Sequence, residues 1–243
     1  GLLIAWNSAL FSMGEVFHNN IWWSRVFASR RSVVMTSFVL GGIAWMSVPM
    51  VTGSIGLVAL ARELPLEQVN MVFPVMAADL LGAGGAALVF VVVFASLTST
   101  LDSLLASTAD LLAEDVYFRL LRPQASDLQL KQAARLMVVG LAVVTLALSW
   151  PRLDSLASVL FFTGALVAST VWPVACGLYW RTANRTAAIA AMLAGSVVGL
   201  LAYGLIAPYC AAVFSAAVSA VVMLIGSRMR PERFDFTLLD EEG

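Results

Sequence analysis

The sequence predicts an all-α, polytopic membrane protein, and three observations carry that prediction. Of the 243 residues, 60% are hydrophobic and only 12% are charged, whereas soluble domains are about 25% charged. Mean hydropathy is +0.90. Several apolar runs reach the roughly 20 residues a helix needs to cross the hydrocarbon core, which argues for many crossings rather than one anchor. A net charge of −1 offers no basic surface, and nucleic acid is excluded as a partner.

Apolar runs bounded by charge give seven expected spans, over residues 1–27, 33–61, 83–117, 132–150, 154–180, 184–206 and 209–227. Only Ala207-Pro208 separates the last two. One helix over both would be about 65 Å long, twice the core thickness, so the chain must turn back there. The basic residues test this layout. Arg25, Arg30, Arg31, Arg119, Arg122, Lys131, Arg135, Arg181, Arg185, Arg228, Arg230 and Arg233 all follow odd-numbered spans, which leaves only Arg62 and Arg152 on the other side. By the positive-inside rule the N-terminus lies outside and the C-terminus in the cytoplasm.

The first span opens Gly1-Leu2-Leu3-Ile4-Ala5-Trp6, with no charged segment before the apolar run, so it does not read as a signal peptide. The chain reads as the later part of a longer protein. Asn7-Ser8, Ser12-Met13-Gly14-Glu15 and His18-Asn19-Asn20 interrupt a stretch otherwise rich in Trp and Phe. Two readings follow: a helix broken beside Gly14, with backbone ends facing a polar solute, or an ordinary helix with its polar edge buried in a bundle. His18 reads as a packed, hydrogen-bonded residue rather than a proton carrier.

The second span contains Pro49 and the fifth Pro173, both expected to kink their helices. Between spans two and three, Arg62 to Gly82 carries Glu63, Glu67 and Asp79 around Met71, Val72, Phe73 and Met76, which predicts an external loop with a short interfacial helix.

The third span holds the densest polar pattern. Ser96, Ser99, Ser103, Ser107 and Asp110 are spaced by three and four residues and fall on one helical stripe, with Thr98, Thr100, Asp102 and Thr108 beside it. Hydroxyl and carbonyl oxygens at mid-depth suit a weakly held monovalent cation such as sodium. The competing reading is that these hydroxyls bond back to their own helix and bind nothing. Glu114 and Asp115, beside Arg119, read as a solvated helix end.

In the fifth span Thr163-Gly164 and Ser169-Thr170 read as packing, and Gly195-Ser196-Val197-Val198-Gly199 in the sixth is a small-xxx-small pattern that permits close helix approach. Cys176 and Cys210, both within apolar stretches, read as buried thiols rather than a disulfide. Residues 1–228 are expected to form the membrane core and 229–243 a short cytoplasmic tail. The chain has no GxSxG elbow, Walker loop or HExxH pair, and no enzyme activity is expected.

The segment Phe94-Ala95-Ser96-Leu97-Thr98-Ser99-Thr100-Leu101-Asp102-Ser103, followed by Leu112-Ala113-Glu114-Asp115-Val116-Tyr117, resembles the signature helix of the sodium:solute symporter family. Asn19-Asn20-Ile21-Trp22-Trp23-Ser24-Arg25 resembles a second family segment, with Asn20 and Ser24 standing in place of its glutamines. Gly14, Val16-Phe17, Trp23, Arg25, Leu40 to Trp45 and Pro49 look most like the family's urea-transporting branch.

The resemblance implies the second half of a leucine-transporter-like fold of inverted repeats, with a missing N-terminal half as partner. It implies sodium as the coupling ion, held by the hydroxyls of Ser99 and Thr100 and the carbonyl of Ser96. Asn19 matches a solute-contacting position, and Glu15 and Trp22 are expected to contact the solute with it. The implied function is sodium-coupled symport of a small polar solute, with urea as the lead, across the plasma membrane. A transporter-like sensor that signals through a partner, or a truncated inactive fragment, are the alternatives.

Overall fold

The computed structural model describes residues 1–64, 69–150 and 156–232. Among them every regular element is helical: α1 (Leu2–His18), α2 (Asn20–Ala28), α3 (Arg31–Ala61), α4 (Val72–Leu111), α5 (Asp127–Ser149), α6 (Leu156–Val167), α7 (Val171–Tyr179), α8 (Arg185–Leu205) and α9 (Ala211–Met229). Short 3₁₀ turns occupy Val69–Met71, Ala168–Thr170 and Pro208–Cys210.

Among the described residues six helices are long and apolar enough to cross a membrane: Arg31–Ala61, Val72–Leu121, Asp127–Ser149, Leu156–Tyr179, Arg185–Leu205 and Pro208–Met229. They correspond to the second through seventh expected spans. The first span is instead divided into helices of 17 and 9 residues. The chain is an all-α, multi-pass membrane protein.

The chain forms two compact units, Trp23–Leu153 and Gly1–Trp22 with Asp154–Gly243. In the unit from Trp23, α3 continues through Pro49, and Thr52 Oγ1 donates to the Val48 carbonyl at 2.9 Å just beyond it. Gly82 adopts φ 66° and ψ −159°, a conformation open essentially to glycine alone. It separates a short helix over 72–81 from the long span that begins at 83, so the expected boundary is met. Glu67 of the predicted loop lies outside the described residues. Arg62 pairs with Asp79 at 2.6 Å, fastening the end of α3 to the short helix, though both side chains are too exposed for the pair to contribute more than about 1 kcal/mol.

At its far end α4 widens into a π-helical stretch, Leu112–Leu121, where Arg122 N–H reaches the Tyr117 carbonyl at 2.7 Å. The signature Glu114-Asp115-Val116-Tyr117 falls on this stretch, and Asp115 pairs with Arg119 at 3.0 Å. A capping box starts α5: Ser126 Oγ accepts from Gln129 N–H at 3.4 Å, and Gln129 Oε1 accepts from Ser126 N–H at 3.1 Å.

In the other unit α8 and α9 form an antiparallel hairpin. The extended residue Ala207 (φ −169°) turns the chain ahead of Pro208, so the expected reversal is present. The hairpin closes tightly because Gly195 and Gly199 face serines: a Cβ on Gly195 would lie 2.8 Å from the Ser215 carbonyl oxygen, and one on Gly199 would lie 2.7 Å from Ser215 Cβ. The small-xxx-small pattern is a real contact seam.

Hydrogen bonds tie this hairpin to α6 and to the Ala168–Thr170 turn. Ser215 Oγ donates to the Ala165 carbonyl at 2.7 Å, Ser219 Oγ donates to the Ser169 carbonyl at 2.6 Å, and Ser169 and Ser196 hydroxyls meet at 3.0 Å. Ser169, Thr170, Ser215 and Ser219 are all buried, as packing requires. Pro173 sits inside the first turn of α7, after the Ala168–Thr170 turn, and the irregularity it was expected to cause precedes it as 3₁₀ geometry. Cys210 is buried and Cys176 half-buried, both as free thiols. At the other end of the hairpin, Asn184 Oδ1 caps α8 through Ala187 N–H at 2.7 Å while its Nδ2 donates to the Arg230 carbonyl at 2.8 Å. Of the expected tail, the part beyond Glu232 lies outside the described residues.

Candidate cation and solute sites

The helix of the first span passes through Gly14 and ends at Asn19, five residues later. The expectation of a break beside Gly14 is therefore corrected. Gly14 is buried because α1 crosses α6 there, and a Cβ on it would collide with the Val167 carbonyl. What ends the helix is a capping residue. Asn19 is extended (φ −89°, ψ 114°), its Oδ1 accepts from Ile21 N–H at 3.0 Å as the N-cap of α2, and its Nδ2 donates to Glu15 Oε1 at 3.1 Å. Asparagine suits both ends, since it tolerates non-helical backbone and its short amide competes with helix bonds.

The break gathers the three expected solute contacts. Glu15 lies in the last turn of α1, Asn19 at the junction, and Trp22 one turn on, its N–H donating to the Asn19 carbonyl at 3.2 Å. All three are half-buried. Glu15 and Asn19 offer carboxylate and carbonyl acceptors, and the interrupted helix adds backbone carbonyls, so the cluster can accept hydrogen bonds from an N–H-rich solute.

Ser96, Ser99 and Thr100 lie together on α4, in the other compact unit, and all are exposed on this chain. Thr100 Oγ1 donates to the Ser96 carbonyl at 3.0 Å, Ser103 Oγ to the Ser99 carbonyl at 3.1 Å, and Thr98 Oγ1 to the Phe94 carbonyl at 2.8 Å. The back-bonded geometry is thus present, but it does not exclude ligation: a hydroxyl that donates its hydrogen inward keeps its lone pairs outward, where a cation needs them. The Ser96 carbonyl is different, because it already accepts from Thr100. Its use as a ligand requires Thr100 to change rotamer. Asp102 and Asp110 are exposed.

Sequence reasoning missed one buried polar residue's role. Asn7 is fully buried, and its Oδ1 accepts from Ala212 N–H at 2.8 Å, satisfying a first-turn donor of α9 from a different helix. The residue carrying α9's own N-cap position, Cys210, has no side-chain acceptor bond.

The model of the sodium:solute symporter family matches residues 8–195. A urea-proton symporter, DUR3, of Oryza sativa subsp. japonica is 31% identical over 209 residues, covering 82% of this chain and 29% of the relative. Probable urea active transporter 1 of Schizosaccharomyces pombe is 25% identical, over 94% of this chain and 40% of the relative. Sodium/proline symporter 2 of Staphylococcus saprophyticus is 28% identical, over 66% of this chain and 33% of the relative. The chain therefore spans between 29% and 40% of the length of these curated relatives. No solved structure matches. These relatives are transporters rather than enzymes, and the family match runs through both the helix break at Asn19 and the hydroxyls of α4: the chain belongs to the sodium:solute symporter family.

Proposed function

We propose that this chain is the C-terminal part of a cation-coupled symporter that carries a small polar solute, urea first among the candidates, across the plasma membrane. The family match over residues 8–195 is the observation that carries the reading, and the likeness to urea transporters supports the solute. Residues 1–228 would form its membrane core, with a missing N-terminal half as partner, an external N-terminus here and a cytoplasmic tail. Sodium would be held by Ser99 and Thr100, with the Ser96 carbonyl, and the solute by Glu15, Asn19 and Trp22.

In this mechanism an external cation favours the solute-competent state, the repeats rock around a midplane site, and weak inward ligation releases both. Linkage makes the coupling reciprocal, so solute and cation tighten each other's binding by one factor. A second reading, proton coupling, is favoured by the name of the rice relative, a urea-proton symporter.

The test is uptake of labelled urea, with a panel of small polar solutes, by the full-length protein in proteoliposomes with and without an inward sodium gradient. Sodium-dependent accumulation supports the symporter. Binding without accumulation under any cation gradient would replace it with a solute sensor.

A further inference from the structure

We infer that the end of the molecule where α7, α8 and α9 meet holds the headgroup of an anionic phospholipid, its phosphate on the guanidinium groups of Arg181, Arg185, Arg228 and Arg230. Such a site depends on the membrane setting alone and not on symport. From Val171 to Glu232 the chain carries these four arginines, no lysine or histidine, and a single acid, Glu232. Each arginine stands at an end of a membrane-crossing helix: Arg181 two residues past Tyr179, Arg185 first in α8, Arg228 in the last turn of α9 and Arg230 one residue past it. The fold gathers them. Asn184 N–H donates to Ser227 Oγ at 3.1 Å and Asn184 Nδ2 to the Arg230 carbonyl at 2.8 Å, so the start of α8 lies beside the end of α9. All four side chains are exposed and belong to one compact unit.

Among the described residues no acid side chain pairs with them. The two ion pairs found there, Arg62 with Asp79 and Arg119 with Asp115, both lie in the other unit. Glu232 is engaged by the backbone: its Oε2 accepts from the Arg185 N–H at 3.0 Å, where a carboxylate complements the positive start of α8. Four guanidinium groups are thus left facing outward at the helix ends, against one carboxylate already in use.

Setting the orientation of a membrane helix needs positive charge near its end and nothing more. Here the charge adjoins a cavity. Its volume is about 310 Å³, and Pro173, Gly177 and Met223 line it together with Trp180, Arg185 and Glu232. Gly177 and Arg185 are exposed, so the cavity opens to the surface. Tyr179, 85% exposed, and the half-buried Trp180 supply the amphipathic rings that settle at headgroup depth. An apolar wall beside cations matches a molecule that carries an acyl chain and a phosphate together. Each guanidinium can give a phosphate two parallel N–H bonds, and basic pockets between the ends of membrane helices suit acidic headgroups. A soluble phosphate would use the arginines and leave the apolar wall empty.

The experiment uses the purified full-length protein in a neutral detergent, where helix orientation no longer matters, and counts bound lipid by native mass spectrometry. The probes are dioleoyl phosphatidylglycerol, dioleoyl phosphatidylcholine and inorganic phosphate. Wild type should bind the phosphatidylglycerol about tenfold more tightly than the phosphatidylcholine. Arg185→Gln with Arg230→Gln should erase that preference, and Arg185→Lys with Arg230→Lys, which keeps the charge but not the fork of N–H donors, should retain part of it. Lys131→Gln with Arg135→Gln, basic positions in the other unit, should leave it intact. Should the first glutamine pair not fold, Arg181→Gln with Arg228→Gln reads the same loss. Equal binding of the two lipids by wild type overturns the inference, as does a full preference in the glutamine pairs. An equal loss in the Lys131 and Arg135 pair overturns it too, since total charge would then explain the preference. Displacement of the lipid by millimolar phosphate would make this a free-anion site instead. Binding that emerges only once Asp240, Glu241 and Glu242 are neutralised would give the arginines to the chain's own tail.

Discussion

The hydroxyl of Ser219 donates to the carbonyl of Ser169 at 2.6 Å, and that carbonyl lies four residues before Pro173. Proline has no N–H, so the helix bond that Ser169 would ordinarily receive from residue 173 cannot form. A buried carbonyl without a donor is costly in an apolar medium. The serine of α9 supplies the donor from another helix, and Gly195 of α8 leaves the room for it to approach. Sequence-distant residues on three helices thus resolve one local backbone defect.

A double-mutant cycle tests this account. Ser219→Ala should lower stability by roughly 0.6–1.7 kcal/mol, from the average to the largest of the interhelical hydrogen bonds measured in a membrane protein. Adding Pro173→Ala, which restores the N–H, should make the same serine change nearly neutral. Reversible unfolding in detergent, followed by helical circular dichroism, reads both. A serine cost that is the same with and without the proline would show that the Ser169 carbonyl is not the acceptor that matters.

Asn7 and Ala212 present the same logic at a helix end. Asn7→Ala should destabilise by about 1–2 kcal/mol, because it leaves the Ala212 N–H buried and unsatisfied at the start of α9. Changing the neighbouring Trp6, which is 59% exposed, to Leu should cost less than half as much. Thermal melts of both variants in one detergent make the comparison, and equal losses would deny Asn7 its capping role.

Much of this was legible in the sequence because its signals are local. The spans from 33 to 227 follow from apolar length alone, the boundary at residue 83 from Gly82, and the reversal at Ala207-Pro208 from a length no bilayer accommodates. Of the two readings left open for the first span, the break beside Gly14 fails for an instructive reason. Gly14 and Asn19 both weaken a helix, but Gly14 is held helical by the backbone it packs against, whereas the side-chain oxygen of Asn19 caps the helix that follows. Choosing between them requires knowing that Val167 lies against Gly14, a contact between residues far apart in sequence. The bonds of Asn7, Ser215 and Ser219 were hidden for the same reason, since each reaches an acceptor or donor on another helix.

The glycine seam makes a comparative prediction. Gly195→Ala should destabilise by about 1–3 kcal/mol, since its Cβ would lie 2.9 Å from Ser169 Cβ and 3.1 Å from Ser219 Cβ as well as against a backbone oxygen. Gly204→Ala, on the same helix with nothing within 4 Å of the added atom, should cost nothing. Detergent melts of the two side by side separate close packing from any general intolerance of α8, and equal melting temperatures would sink the seam as a determinant of stability.

The hydroxyls of α4 make the last prediction, and the bond between Thr100 and Ser96 gives it a direction. Ser99→Ala should raise the sodium concentration for half-maximal uptake by about threefold to tenfold, equivalent to about 0.6–1.4 kcal/mol of lost ligation. Thr100→Ala should raise it less, because removing that hydroxyl also frees the Ser96 carbonyl, the acceptor it occupies at 3.0 Å. Thr100→Ser keeps the hydroxyl and should behave as wild type. Saturating sodium should restore the rate in both alanine variants, since the change lies in cation binding alone. Sodium titrations of labelled-solute uptake in proteoliposomes supply the constants. Unchanged half-saturation in both alanine variants would remove these hydroxyls from the cation site, whereas a larger shift for Thr100→Ala than for Ser99→Ala would mean that the Ser96 carbonyl stays engaged with the helix and takes no part in holding the ion.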